Sequence, residues 1–197
     1  CWPSMPASIV GANRIEFCAD YAALFKTLCL IADVTLVEGS QIDLVSSSIG
    51  VAVKSGAARP DISNLGAFKT ALLRARSIAY SQSGASGIYI AELLRKWGIA
   101  ELINKKAVIS GGFTAKLVAD GQVELAIQQM SELLTVSGID IVGPLPSAIQ
   151  LKTIFSGGIF SSSLCKVEAS EFLAFLRSNE ALPVLRATGL ERAEGKA

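Results

Sequence analysis

From Ser47 onward, short apolar runs alternate with helix-period segments, and the connections between them are brief. That rhythm is the strongest constraint on the fold. Strands alternating with helices at short spacing form βαβ units and a largely parallel sheet. Ser48-Ile-Gly-Val-Ala-Val53 reads as a strand, turned by Lys54-Ser-Gly56. Ser63 is placed to cap a helix over 64–76, with Leu65, Phe68, Leu72 and Ala75 on one stripe. Residues 77–80 read as a buried strand, 87–97 as a helix stopped by Gly98, and 107–110 as a further strand. A helix over 114–119, a strand over 123–127, a short helix over 131–134 and a strand over 139–142 follow. An extended piece over 152–160 leads to helices over 167–177 and from Pro183 to before Gly189. The polar tail 191–197 is expected to fray.

Composition narrows the function. Hydrophobic residues make up 51% of the 197 and charged ones 18%, enough for a substantial core. The net charge of +1 is scattered, whereas nucleic-acid binding needs a concentrated basic face, so no nucleic-acid partner is expected. The chain has no histidine, which excludes Ser-His-Asp and Cys-His catalysis and removes the commonest metal ligand. Cys1, Cys18, Cys29 and Cys165 form no C-x-x-C pair. Two disulfides are permitted but not demanded, and small buried hydrophobes are the simpler expectation. The most apolar window, 21–37, carries Lys26 and Asp33, is short for a membrane span, and suits a buried helix or an interface. No basic segment followed by an apolar stretch marks a signal peptide, and the chain starts without Met, as a processed or truncated product would. A soluble chain without metal or cofactor is expected.

Three strand-to-helix loops could carry chemistry, because parallel sheets bind ligands outside the carboxyl ends of their strands. The first is Tyr80-Ser-Gln-Ser-Gly-Ala-Ser-Gly87. It offers free backbone N–H groups at the positive end of a helix dipole, and Ser81, Ser83 and Ser86 add hydroxyl donors. The second, Gly111-Gly112-Phe113-Thr114, lets backbone approach a ligand closely. The third is Gln128-Gln129-Met130-Ser131, whose amides could donate to a bound oxygen. Each also reads as an ordinary turn, and the third as a solvated strand end. The first two loops hold no Lys or Arg, which suits a small oxyanion chosen by shape and hydrogen-bond count. No isolated acid is evident in any of the loops.

At these loops the sequence resembles the molybdate-type periplasmic substrate-binding proteins of ABC transporters. The matching segments are Ser48-Ile-Gly-Val-Ala-Val-Lys54, Ile78-Ala-Tyr80, Gly84-Ala-Ser-Gly-Ile-Tyr89, Leu117-Val118, Gly121, Leu125-Ala-Ile127 and Val142-Gly-Pro-Leu-Pro146, across about 43–189. The resemblance implies an α/β, two-lobed type II periplasmic-binding-protein-like fold with mainly parallel sheets. Lobe 1 would comprise 1–58 and 147–197, and lobe 2 would comprise 59–146, with strands crossing near 48–53 and 152–160. It implies an extracytoplasmic, periplasmic receptor, not an enzyme, that captures a small oxyanion or carboxylate for the membrane component of an ABC transporter. Carried over by position, Ala85, Ser86, Gly111, Gly112 and Gln129 would face the ligand, beside Ser81 and Ser83. The family's tyrosine at the position of Gln129 is absent, which points to an anion other than molybdate. Residues 1–37 match neither of the family's first two serine loops, so the first lobe is either divergent or incomplete. If incomplete, exposed apolar surface would favour a homo-oligomer. The alternatives are an aconitate-isomerase-like enzyme for small tricarboxylates on the same scaffold, and a ligand-sensing effector domain.

Overall fold

A computed structural model describes residues 18–19, 35–111 and 114–193. The expectations for the window 21–37 therefore fall largely outside it, as do Gly112, Cys1 and Cys29. In chain order the elements are β1 (Cys18–Ala19), β2 (Ile42–Lys54), α1 (Leu65–Arg74), β3 (Ile78–Ser81), α2 (Ala85–Lys96) and α3 (Ala100–Asn104). They continue with β4 (Ala107–Ser110), α4 (Thr114–Ala119), β5 (Leu125–Gln129), α5 (Met130–Leu133) and β6 (Ile139–Pro144). After a 3-10 turn at Ser147–Ile149 come β7 (Lys152–Gly157), α6 (Lys166–Leu176), α7 (Leu182–Ala187) and β8 (Glu191–Arg192). The chain divides into two compact units: one of Cys1–Ser46, Ile154–Arg186 and Glu191–Ala197, the other of Ser47–Thr153 and Ala187–Leu190.

The second unit is a sheet with helices on both faces. Its strand order is β4-β3-β5-β2-β6. β3 runs parallel to β4 and β5, while β2 is antiparallel to β5 and β6, so the sheet is mixed. Period-2 geometry sorts its side chains by size. Ile49, Val51, Val53, Ile78, Tyr80, Leu125 and Ile127 join one core cluster with Phe68 and Leu72 of α1, Ile90 and Leu94 of α2, and Ile103 of α3. The intervening residues are Ala52, Ala79 and Ala126, and these pack on the other face with Ala115 and Val118 of α4 and Leu133 of α5. Small residues on that face let two short helices approach the strands closely. Burying a large aliphatic or aromatic side chain contributes about 1.5–3 kcal/mol, so the large-residue face supplies most of the apolar stabilisation. Burial on both faces also explains why Ile78-Ala-Tyr80 and Leu125-Ala-Ile127 are continuous apolar strings, without polar alternation.

α1 shows how local chemistry sets an element's start. Its N-cap is Asn64, not Ser63: the Asn64 side-chain oxygen accepts the Ala67 N–H at 3.0 Å. Ser63 instead sits in an Asx turn, its N–H donated to Asp61 at 2.9 Å. Phe68, Leu72 and Ala75 are buried as the stripe requires, while Leu65 at the first turn is exposed. Asn64→Ala should therefore cost about 1 kcal/mol, measurable by urea unfolding, whereas Ser63→Ala should cost little.

The first unit contains the first part of β2, most of β7, β1, β8, α6 and most of α7. β1 pairs antiparallel with β7, and β8 pairs antiparallel with β2 at Val45↔Arg192 and Ser46↔Glu191. The expected fraying at Glu191 is thus overturned: two polar residues form a strand because their backbone completes a ladder, with Ala193 buried behind them. Leu44 and Leu173 close on Gly157, where an added Cβ would lie within 2.9 Å of both side chains. Cys165 is exposed ahead of α6, so it is not a buried hydrophobe. Among the described residues no helix is long and apolar enough to cross a membrane, and no His/Cys/Asp/Glu group could hold a metal ion.

Candidate functional site

Parallel pairing puts the carboxyl ends of adjacent strands side by side, roughly 4.8 Å apart. Ser81 pairs with Ser110 at the ends of β3 and β4, and Tyr80 with Ile127 near the end of β5. The loops leaving those ends meet in a cleft of about 260 Å³. The β3–α2 junction contributes Ser81, Ser83, Gly84, Ala85 and Ser86 to its lining; the residue after β4 contributes Gly111; β5 and α5 contribute Gln128, Gln129 and Glu132. Six of the residues singled out from sequence therefore share one cleft: Ser81, Ser83, Ala85, Ser86, Gly111 and Gln129. Gly112 lies outside the described residues.

The β3–α2 loop is held by a serine side chain of its own. The Ser81 hydroxyl accepts the Gly84 N–H at 2.9 Å, which turns the chain into α2. Gly84, the N-cap, has no side chain to bond the first turn, and the first helical hydrogen bond runs from Ile88 N–H to Gly84 C=O. The N–H groups of Ala85, Ser86 and Gly87 thus have no partner within the helix, the arrangement that favours an anion at a helix N-terminus. Helix α2 begins at Ala85, two residues earlier than the apolar pattern implies, and buries Ser86 and Gly87. Gly87 is required by a close approach: a Cβ there would lie 1.8 Å from the Ser81 carbonyl oxygen.

The β5–α5 tip is a hydrogen-bonded network, not a solvated strand end. Gln128 and Gln129 are both buried. The Gln128 side-chain oxygen accepts from the Thr114 hydroxyl at 2.8 Å and from the Ala115 N–H at 3.2 Å. That fixes the amide's orientation and leaves its NH₂ to donate to Glu132. The Gln129 side-chain NH₂ donates to the Thr153 hydroxyl at 3.1 Å, so its free acceptor is the amide oxygen. Ser131 turns away to the Ser47 hydroxyl, which accepts its N–H at 3.2 Å.

Glu132 is the residue that the linear reading missed. It sits at the third position of α5, whose N-cap is Gln129, and accepts the Gln129 backbone N–H, as in a capping box. Burial pushes its carboxyl pKa upward, outweighing the Gln128 amide and the Gln129 N–H, which favour the ionised form. The signal was the Gln129/Glu132 spacing of three, that of a helix N-cap and its capping-box partner. It is the only ionisable side chain lining the cleft among the described residues. A larger groove of about 900 Å³ runs along the first unit beside α6. Charges of both signs line it, including Glu38, Glu171, Lys166 and Arg177, and none of the three loops reaches it.

The chain belongs to the family of bacterial extracellular solute-binding proteins, whose sequence profile matches residues 24–191. A curated relative, an aconitate isomerase from Pseudomonas sp., is 39% identical over 164 residues, which make up 82% of this chain and 62% of the relative. The chain thus matches less than two thirds of that enzyme's length. Among solved structures, the periplasmic molybdate-binding protein of Azotobacter vinelandii superposes with a TM-score of 0.68 at 18% identity, covering 95% of this chain and 83% of that one. PEB3 of Campylobacter jejuni, bound to L-phospholactate, superposes at 0.67 with 15% identity, covering 94% and 82%. The fold is the α/β fold of periplasmic binding proteins.

Proposed function

We propose that the chain is an extracytoplasmic solute receptor whose cleft at the tips of β3, β4 and β5 holds a small anion bearing carboxylate, for delivery to the membrane component of an ABC transporter. The second unit, in this reading, is the ligand-holding lobe expected over 59–146. The convergence of three strand-end loops on one cleft, two of them lining it without charge, carries the proposal. Helix-terminal N–H groups at Ala85 and Ser86 and backbone at Gly111 would bind the anion, with serine hydroxyls reorienting to its oxygens. One helix terminus contributes roughly 0.3–1 kcal/mol, up to about 2 when partly buried. Micromolar affinity needs about 8 kcal/mol, so several donors must act together. Gln129 in place of the tyrosine typical of molybdate receptors points to an anion other than molybdate.

The test is a melting panel of citrate, cis- and trans-aconitate, phosphate, sulfate and molybdate. A ligand at about 100 times its Kd should stabilise the chain by about 2.7 kcal/mol, a rise of roughly 5–10 °C for a protein of this size. A panel that leaves the melting temperature unchanged throughout would remove the receptor reading.

A second reading, isomerisation of a small tricarboxylate, is favoured by the 39% identity to an aconitate isomerase and by Glu132 in the cleft. A carboxyl group held above its ordinary pKa can take a proton from carbon beside a carboxylate and return it elsewhere. Interconversion of aconitate isomers, followed by absorbance, would promote this reading; binding without turnover would leave the receptor.

A further inference from the structure

A carboxylate among anion-binding donors is a paradox unless it selects. An ionised carboxylate only accepts hydrogen bonds. An anion oxygen that carries no proton meets Glu132 as acceptor against acceptor and charge against like charge, whereas a hydroxyl or protonated oxygen finds a charge-assisted hydrogen bond. We propose that Glu132 is the specificity-determining residue of this cleft, admitting anions that present a proton or hydroxyl to it and rejecting fully ionised ones such as molybdate and sulfate. The inference rests on the receptor reading above and sharpens it.

Three features of the cleft carry it. Glu132 shares the cleft with Ser81, Ser86 and Gly111, and the lining from β3–α2 and β4 brings no cation to neutralise it. Its position is imposed: the Gln128 amide is locked by Thr114 Oγ1 and Ala115 N–H at one end, so that its NH₂ faces the carboxylate. Those contacts and the Gln129 N–H occupy part of a carboxylate's roughly four lone-pair positions, leaving acceptor capacity for a ligand. A site built only to attract anions would gain nothing from this residue. A site built to discriminate needs a repulsive element as well as attractive ones.

Glu132→Gln isolates the charge, because glutamine serves the same capping position while replacing one acceptor by an NH₂ donor. The two proteins, each shown folded by circular dichroism, are titrated calorimetrically at neutral pH with citrate, hydrogen phosphate, sulfate, molybdate, and cis- and trans-aconitate. The wild-type chain should bind citrate or phosphate at least about tenfold more tightly than sulfate or molybdate, the scale of one charge-assisted hydrogen bond. In Glu132→Gln that preference should fall by about tenfold or more, with sulfate and molybdate gaining. Wild-type binding of molybdate or sulfate as tight as that of the proton-bearing anions would overturn the selectivity, as would an unchanged ratio in the variant, while leaving the receptor standing. Wild-type protein that binds only cis- or trans-aconitate, fully ionised and without a hydroxyl, would overturn the inference and keep the receptor, and protein that binds none of these anions would sink both.

Discussion

Gly87→Ala should both destabilise the second unit and abolish tight anion binding. The added methyl would be placed 1.8 Å from the Ser81 carbonyl oxygen and 2.6 Å from its carbon, and both are backbone atoms that no rotamer change can move aside. Relief therefore requires either the end of β3 or the start of α2 to shift. Overpacking of this kind costs about 1–3 kcal/mol. The functional loss should be larger than the structural one, because the same shift carries the N–H groups of Ala85 and Ser86 away from the cleft that they line. Small misplacements of a binding group can cost about a hundredfold. Chemical unfolding and calorimetric titration of the variant check the two effects separately. A variant that melts with the parent and binds citrate or phosphate as tightly would show that the chain does not pass that closely.

Phe68→Ala should be the most destabilising core substitution, at about 3–5 kcal/mol. Phe68 is fully buried in the cluster between α1 and the sheet, and its ring meets Trp97 edge-on, with centroids 6.2 Å apart and planes at 73°. Truncation removes both the apolar burial and an aromatic contact worth about 0.5–1.5 kcal/mol beyond area. Against a total stability of about 5–15 kcal/mol, such a loss leaves a chain that melts roughly 6–20 °C lower. Differential scanning calorimetry reads this directly. Phe68→Leu, which keeps most of the volume, should lose less than half as much, and equal losses would place the cost elsewhere than in the cavity.

The strands and helices of the second unit were largely legible because their patterning agrees at every level. Residues 114–119 form the helix that the pattern implies, bounded by a glycine pair and by Asp120-Gly121. β3 and β5 read clearly because both faces are covered and their residues are apolar throughout. What escaped notice has equally definite causes. Ser63 and Asn64 are both good caps, and only the Asx turn made by Asp61 decides between them. α3 is five residues long, too short to display a period. β8 joins β2 by a backbone ladder, and its Glu191-Arg192 carries no apolar signal for a strand. Glu132 was hidden because linear distance from the loop is a poor guide where a strand turns directly into a helix: one turn of α5 returns it beside Gln128. The three loops were found for a general reason, since parallel pairing obliges neighbouring carboxyl ends to share an edge.

The division of the chain has a consequence for how it comes off the ribosome. The unit that holds the cleft is almost one uninterrupted stretch, Ser47–Thr153, completed only by Ala187–Leu190. The other unit must join residues before Ser46 to residues after Ile154, across a loop of more than a hundred residues that is already occupied. Domains collapse as their own residues emerge, earliest segments first. The cleft-bearing sheet can therefore assemble while the first strand-forming residues of its companion still wait for partners not yet synthesised. Nascent chains halted once Thr153 has cleared the ribosomal exit tunnel should already carry the protease-resistant core of the second unit.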